Sequence, residues 1–402
     1  MADAIIYDAL RTPRGSGRPT GGLHTLSPID LGATVLRALV ERTGCDRAEI
    51  DDVIFGCGDA VEDQGADIAR SSLLRAGLDE RIPGAVISRF CSSGLDATNA
   101  AAARVMAGQA DCMIAGGVEM MSLISIGGTG GPWGSDAEFN TLTNYAPLGV
   151  AADLLATLSG HTREDVDTFA VESQRRAANA WNDGRFEKSV VPVRDFNGTL
   201  CLDCDEHMRP SSDLASLGKL KPAFEGMATK MGFSETVKQR YPQVGKLSHI
   251  HTAGNSSGVV DGASAILIGA PALARQLDLK PRAKIVSFAT VGCDPCVMLT
   301  APAEATRKCL ARAGLGFDDV DLFEVNEAFA SVVLYFMEQT GVNHDRINVN
   351  GGAIAMGHPI GATGAILVGS LVDELERTGA KRGVATLCVG LGMGVATLIE
   401  RV

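Results

Sequence analysis

Three residues of this 402-residue chain pair a reactive side chain with a local sequence that would hold it still: Cys91, His358 and Cys388. Cys91 sits in Ile87-Ser-Arg-Phe-Cys-Ser-Ser-Gly-Leu95, where a short apolar run gives way to a small-residue helix. A thiol at a helix N-terminus faces the positive end of the helix dipole, which predicts a lowered pKa and a larger thiolate fraction. Isolated, a cysteine of this kind is more often an inert core residue; its company decides. His358 lies in Asn348-Val-Asn-Gly-Gly-Ala-Ile-Ala-Met-Gly-His-Pro-Ile-Gly-Ala-Thr-Gly364, followed by proline and enclosed by glycines. Such a loop fixes one imidazole rigidly, as a base beside a thiol requires. Cys388 ends an apolar run and enters the Gly-rich turn Val389-Gly-Leu-Gly-Met-Gly394. A second thiol there could shuttle a proton, while free N–H groups in the turn could hold an oxyanion. The turn is not a GxGxxG dinucleotide fingerprint. Asn326-Glu-Ala-Phe-Ala330 follows a predicted strand, where α/β proteins place ligand groups.

The elements that must carry these residues alternate between helical stretches and Val/Ile-rich runs, the pattern of an α/β protein. The spacing predicts helices over 28–42 (with Ser27 as N-cap and Pro28 in the first turn), 163–182 and 302–313. Residues 4–7, 50–56 and 320–325 read as strands. The halves look duplicated. Asp51-Asp52-Val53 aligns with Asp318-Asp319-Val320, and Cys91-Ser-Ser-Gly94 with His358-Pro-Ile-Gly361, both at an offset of 267 (318 − 51 and 358 − 91). Small-residue helices, 95–107 and 362–376, follow the second pair of turns, and apolar strands beginning at Cys112 and Val384 follow the helices. Packed together, the halves would place Cys91 and His358 at equivalent corners of a pseudo-symmetric core.

Composition bounds the function. Hydrophobic residues make up 46% and charged residues 21%, which excludes a disordered chain. The net charge of −12 disfavours nucleic-acid binding, and no run is long enough to span a membrane. No signal peptide is visible, and ten cysteines in so long a chain read as free thiols of a reducing, cytoplasmic compartment. Residues 122–246 differ from their flanks, opening on Gly127-Gly-Thr-Gly-Gly131 and holding both tryptophans. Within 217–249, Lys219, Lys221, Lys230, Lys238, Arg240 and Lys246 face only Glu225 and Glu235, a local excess of 6 − 2 = +4. That patch is either a solvated face or an attractor for a phosphorylated ligand. Cys201-Leu-Asp-Cys204, with His207, and Cys293-Asp-Pro-Cys296 have C-x-x-C spacing, but 88 residues (205–292) separate the pairs. They read as unpaired thiols, and no metal is expected.

Taken together, these segments resemble the thiolase family over essentially the whole chain. The matching motifs are Cys91-Ser-Ser-Gly, His251-Thr-Ala-Gly-Asn-Ser-Ser-Gly-Val-Val-Asp-Gly-Ala263, Asn326-Glu-Ala-Phe, Gly357-His-Pro-Ile-Gly-Ala-Thr-Gly364 and Cys388-Val-Gly-Leu-Gly, in the family's order and spacing. Departures are Ser88 in place of Asn, Gly116-Gly-Val-Glu-Met-Met-Ser122, Met298-Leu-Thr-Ala-Pro302, and extra residues between Phe224 and His251. The last two touch regions that shape the acyl and coenzyme A pockets in the family.

The resemblance implies a five-layered α-β-α-β-α fold and a homodimer or homotetramer. Its N-terminal half would be 1–121 plus 247–272, its inserted loop domain on the coenzyme A side 122–246, and its C-terminal half 273–402. It implies acyl transfer in fatty acid metabolism between acyl-CoA, acetyl-CoA and free coenzyme A, without a permanently bound cofactor. Cys91 would carry the acyl group, His358 would be the base and Cys388 the second acid/base. One oxyanion hole would use His358 and a water held by Asn326, the other the N–H groups of Cys91 and Gly390. Ala253, Ser257, Phe329 and Met298, with Lys219 and Lys221, would face coenzyme A or its acyl group. A ketoacyl-synthase relative, a non-catalytic lipid-binding relative and a papain-like hydrolase are the alternatives. Cys388, the intact trio and the duplication weigh against them in turn.

Overall fold

The structure, a computed structural model, describes residues 2–45 and 49–402. In its first half β1 (Ala4–Arg11) leads to α1 (Pro28–Thr43), β2 (Asp52–Gly56), α2 (Ile68–Arg75), β3 (Gly84–Ile87), α3 (Ser93–Met106) and β4 (Cys112–Met120). Helix α1 starts where Ser27 and Asp30 form a reciprocal capping box, and it ends at Gly44 in the left-handed region. The middle segment holds α4 (Leu148–Ser159), α5 (Arg163–Asn182), α6 (Glu225–Lys230) and α7 (Phe233–Arg240), besides shorter pieces. The chain returns through β5 (Val260–Gly269) and β6 (Ala283–Gly292). The last part is α8 (Ala301–Arg312), β7 (Leu322–Val325), α9 (Ala330–Thr340), α10 (Ile360–Thr378), β8 (Arg382–Val389) and β9 (Met393–Arg401).

The strands form one hydrogen-bonded sheet in the order β7-β8-β9-β6-β1-β5-β4-β2-β3. Its two arms join where Ala4–Ile6 of β1 pairs antiparallel with Ala283–Ile285 of β6. Side-chain alternation then builds the layers. Val53 and Phe55 of β2 face α1 and α2, whereas Ile54 faces inward onto Leu95 of α3. Val384 of β8 packs with Leu310 of α8 and Phe336 of α9, whereas Ala385 faces inward. Between the arms lie α3 and α10, whose Ala101, Val105, Val368 and Leu371 share one buried cluster with both arms. Two sheet layers and three helix layers result, the arrangement that the resemblance implies.

The duplication is present, with one correction to its register. Asp51 accepts the N–H groups of Asp111 and Cys112, and Asp321 accepts those of Lys381 and Arg382. The equivalent of Asp51 is therefore Asp321, at an offset of 270, not Asp318 at 267. Helices α3 and α10 do begin 267 residues apart (360 − 93), because the second half spends three fewer residues between its strand and its helix. A run of adjacent aspartates allowed the misalignment. No helix among the described residues is long and apolar enough to cross a membrane.

Candidate active site

Cys91 lies in a single tight turn, Phe90–Ser92, between β3 and α3. Phe90 adopts φ 44°, a left-handed conformation that costs energy for a bulky residue and aims the thiol inward. The Ser93 hydroxyl accepts the Arg89 N–H at 2.9 Å and donates to the Phe90 carbonyl at 2.7 Å, while Arg89 pairs with Asp96. The helix-dipole expectation for this thiol is overturned. Burial pushes Cys91 up to about 11, against the N–H groups of Gly390 and of Cys91 itself, which hold it down; Glu119 and Asp59 push it further up. At rest Cys91 is a thiol.

His358 sits at the entrance to α10 and is 5% exposed. Its Nδ1 lies 2.7 Å from the Thr363 hydroxyl, which spends its own proton on the Pro359 carbonyl at 2.9 Å. With that proton on Pro359, Nδ1 carries the ring proton and the Nε2 lone pair receives Asn326 Nδ2–H at 3.3 Å. Burial, and next the Arg14 guanidinium, pull the imidazole down to about 3, so it is a neutral proton acceptor. Arg14 is itself buried and donates to the Gly357 carbonyl at 3.0 Å. The loop is held by Glu327, which accepts from Ser173, Asn348 and the Ile354 N–H, and by the His358 N–H donated to Gly258.

The two corners meet through glycines. A Cβ on Gly94 would lie 2.6 Å from the Gly361 carbonyl oxygen, and one on Gly361 2.6 Å from the carbonyls of Gly56 and Val118. Only bare backbone permits this approach. Glu119 clamps the junction, accepting the N–H groups of Gly58 (2.7 Å), Asp59 (3.2 Å) and Gly361 (2.9 Å) and the Gln64 amide (2.7 Å). The motifs did not mark Glu119 as functional. An acid inside the otherwise apolar run Cys112–Met120 was the available signal. Cys388 is 1% exposed, and burial followed by the neighbouring Cys91 sulfur holds its pKa well above an ordinary thiol's.

A cavity of about 150 Å³ opens over Cys91, bounded by Gly390, Leu391 and Met298 from the C-terminal half. Ile126, Trp133, Tyr145 and Leu148 of the middle segment complete its walls; the sequence did not single these out. Gly127 and Thr129 are tied to the Asp59 carboxylate, which draws the glycine run across the pocket. Met298 thus joins Cys91 and Gly390. Ala253, Ser257 and Phe329 do not line this cavity; the loop that holds Ala253 and Ser257 meets the C-terminal half where Ser257 N–H bonds the Ala328 carbonyl at 3.0 Å and Gly258 accepts the His358 N–H. Lys219 and Lys221 are exposed beside it, since Leu217 and Leu220 pack against Gly254. Lys238 pairs with Glu235 and Arg240 with Asp294. None of the ten cysteines forms a disulfide, and no cluster of metal-ligating side chains is found among the described residues.

The description "Thiolase, N-terminal domain" matches residues 4–237, and "Thiolase, C-terminal domain" matches residues 279–401. The chain belongs to the thiolase family. It is 38% identical to a 3-ketoacyl-CoA thiolase of Aliivibrio fischeri, covering all of both chains. It is 39% identical to an acetyl-CoA acetyltransferase of Chromobacterium violaceum, over 99% of this chain and all of the relative. A beta-ketoadipyl-CoA thiolase of Acinetobacter baylyi is also 39% identical, over the whole of both chains. Among solved structures, the Bacillus anthracis acetyl-CoA acetyltransferase superimposes with a TM-score of 0.85 at 32% identity, covering 100% of this chain and 99% of that one.

Proposed function

We propose that the protein condenses acyl-CoA with acetyl-CoA, and in reverse thiolyses 3-oxoacyl-CoA, through an acyl group carried on Cys91. The observation that carries this reading is the neutral thiol and neutral imidazole at two corners in backbone contact, with a second buried thiol beside the first. In the synthetic direction His358 Nε2 takes the Cys91 proton as sulfur attacks the thioester carbon. The N–H groups of Cys91 and Gly390 stabilise the resulting oxyanion. As the carbon–sulfur bond to coenzyme A breaks, Cys388 gives its proton to the leaving sulfur. Its thiolate, made strongly basic by burial, then removes a proton from the α-carbon of acetyl-CoA. The imidazolium of His358, with a water held by Asn326, stabilises the enolate oxygen. The carbanion attacks the acyl carbon, the carbon–sulfur bond to Cys91 breaks, and His358 returns its proton to that sulfur.

The division into 1–121 plus 247–272, 122–246 and 273–402 belongs to this proposal, the middle part with Lys219 and Lys221 lying on the coenzyme A side, which Ala253 and Ser257 of the first part and Phe329 of the last would also face. So does a homodimer or homotetramer working in the cytoplasm: β3 is an edge strand whose residues are all only half-buried. Incubation with acetyl-CoA followed by peptide mass spectrometry tests the chemistry. One acetyl group is expected on the Cys91 peptide. Acetylation of Cys388 with Cys91 unmodified would overturn the assignment. Cys388→Ala should still acylate Cys91, more slowly because coenzyme A then leaves without that proton, and should lose condensation.

A further inference from the structure

We propose that the helix pair α6–α7 and its flanks, residues 224–247, restrict the length of the acyl group by holding three walls of the cavity over Cys91. This rests on the acyl-transfer reading of that cavity and deepens it. The walls are Tyr145, Leu148 and Met298, and each is reached by a contact from this segment as well as from the C-terminal half. Phe233 meets the Tyr145 ring edge-on at 6.3 Å, and Tyr145 in turn holds Trp133 at 5.1 Å. Phe224 presses on α4 beside Leu148: a Cβ on Gly149 would lie 2.1 Å from its ring, so the helix is drawn against the aromatic face. Arg240 Nε and Tyr241 O–H donate to the Asp294 carboxylate at 2.8 and 3.0 Å. Asp294 accepts the Cys296 N–H on its other oxygen at 2.8 Å and the Met298 N–H on its carbonyl at 2.9 Å. Met298 is held at φ 35°, a conformation a thioether side chain does not choose unaided.

The segment has a core of its own to supply this rigidity. Ala228, Val237, Val244 and Leu247 are buried against Val150, Ala151 and Leu154 of α4 and against Val297. Loosening any one brace frees a wall while leaving the side chains of Cys91, His358 and Cys388 in place. A cavity of about 150 Å³ is small beside ordinary ligand sites of roughly 300–1,000 Å³, so the braces keep out long chains and leave a short acyl group unaffected. Hydrophobic pockets discriminate by tens of fold per methylene group, which sets the scale of the effect.

The test is thiolysis of acetoacetyl-CoA and 3-oxooctanoyl-CoA by the full chain and by Phe233→Ala, Phe233→Leu and Tyr241→Phe. Phe233→Ala should raise the ratio of kcat/KM for the longer over the shorter substrate about tenfold, Phe233→Leu less. Acetoacetyl-CoA turnover should be unchanged. Tyr241→Phe, which loses only one hydroxyl, should raise the ratio about threefold and decides the matter if Phe233→Ala fails to fold. An unchanged ratio in folded variants, or an equal loss on both substrates, overturns the proposal. Absence of thiolysis of either substrate by the unaltered protein would instead overturn the acyl-transfer reading.

Discussion

The two corners of the duplicated core receive the same environment and respond in opposite senses. Each is a tight turn at the start of an inner helix, and their glycines, Gly94 and Gly361, touch. Each is buried. Burial penalises charge, so it raises the acid whose charged form is an anion and lowers the base whose charged form is a cation. Cys91 is moved to about 11 and His358 to about 3. A thiolate–imidazolium pair is therefore not stored in the resting site. Proton transfer waits for a thioester whose developing oxyanion the N–H groups of Cys91 and Gly390 can meet. Duplication supplied two equivalent positions, and a thiol in one with an imidazole in the other supplied the acid–base pair.

The largest effect expected from breaking this comparison comes from removing either corner. Cys91→Ala should abolish acyl-enzyme formation, measured by mass spectrometry. His358→Ala should slow acylation by about 10²–10⁴-fold. Exchanging the glycine at the contact comes next. Gly361→Ala puts a methyl group against two backbone segments, Gly56–Cys57 and Val118, with Cys57 Cα at 2.7 Å, and should cost about 1–3 kcal/mol in denaturant unfolding besides most of the activity. Gly44→Ala, where no atom lies within 4 Å of the added carbon, is the control for helix-cap strain alone.

Sharpening the comparison needs pH. Alkylation of Cys91 by iodoacetamide should keep rising through pH 9, and thiolysis should show no acid limb from His358 above pH 5. An inflection near the ordinary histidine value of 6.5 would show that the imidazole is not held neutral. The same shift affects stability. With the folded pKa depressed to about 3, the unfolded chain binds a proton the folded chain refuses. His358 therefore costs nothing above about pH 6.5 and destabilises progressively as pH falls from there toward 3. The smallest effect belongs to the rim. Lys219→Gln with Lys221→Gln should raise KM for acyl-CoA a few-fold and flatten its salt dependence, because exposed charges are screened within about 8 Å.

How much of this was legible in the sequence depended on how strongly local signals outweighed tertiary ones. The helices at 28–43 and 163–182 have one polar face and explicit caps, and they read directly from periodicity. Helix α4 does not. Its residues Gly149–Ala156 are all buried, so it lacks the polar face that periodicity detects. The trio Cys91, His358 and Cys388 was legible because unusual glycine settings surround each. The protonation state of Cys91 was not, because desolvation depends on what the rest of the chain piles over the turn. The cavity walls at Trp133 and Tyr145 were equally hidden, since nothing in a Gly-rich run states which pocket it will cover.

The pairing of β1 with both β5 and β6 also governs how the molecule comes into being. The first strand of the chain lies at the centre of the sheet, between partners at 260–269 and 283–292. A nascent chain cannot complete either ladder of β1 until about 270 residues have been made, so both edges of an apolar strand await partners through most of synthesis. Chains ending before Val260 should leave β1 unpaired and aggregate, whereas chains ending just after Gly292 have both partners of β1 in place. For β1 the order of translation and the order of pairing lie far apart: the first strand made waits until about Gly292 for its second partner.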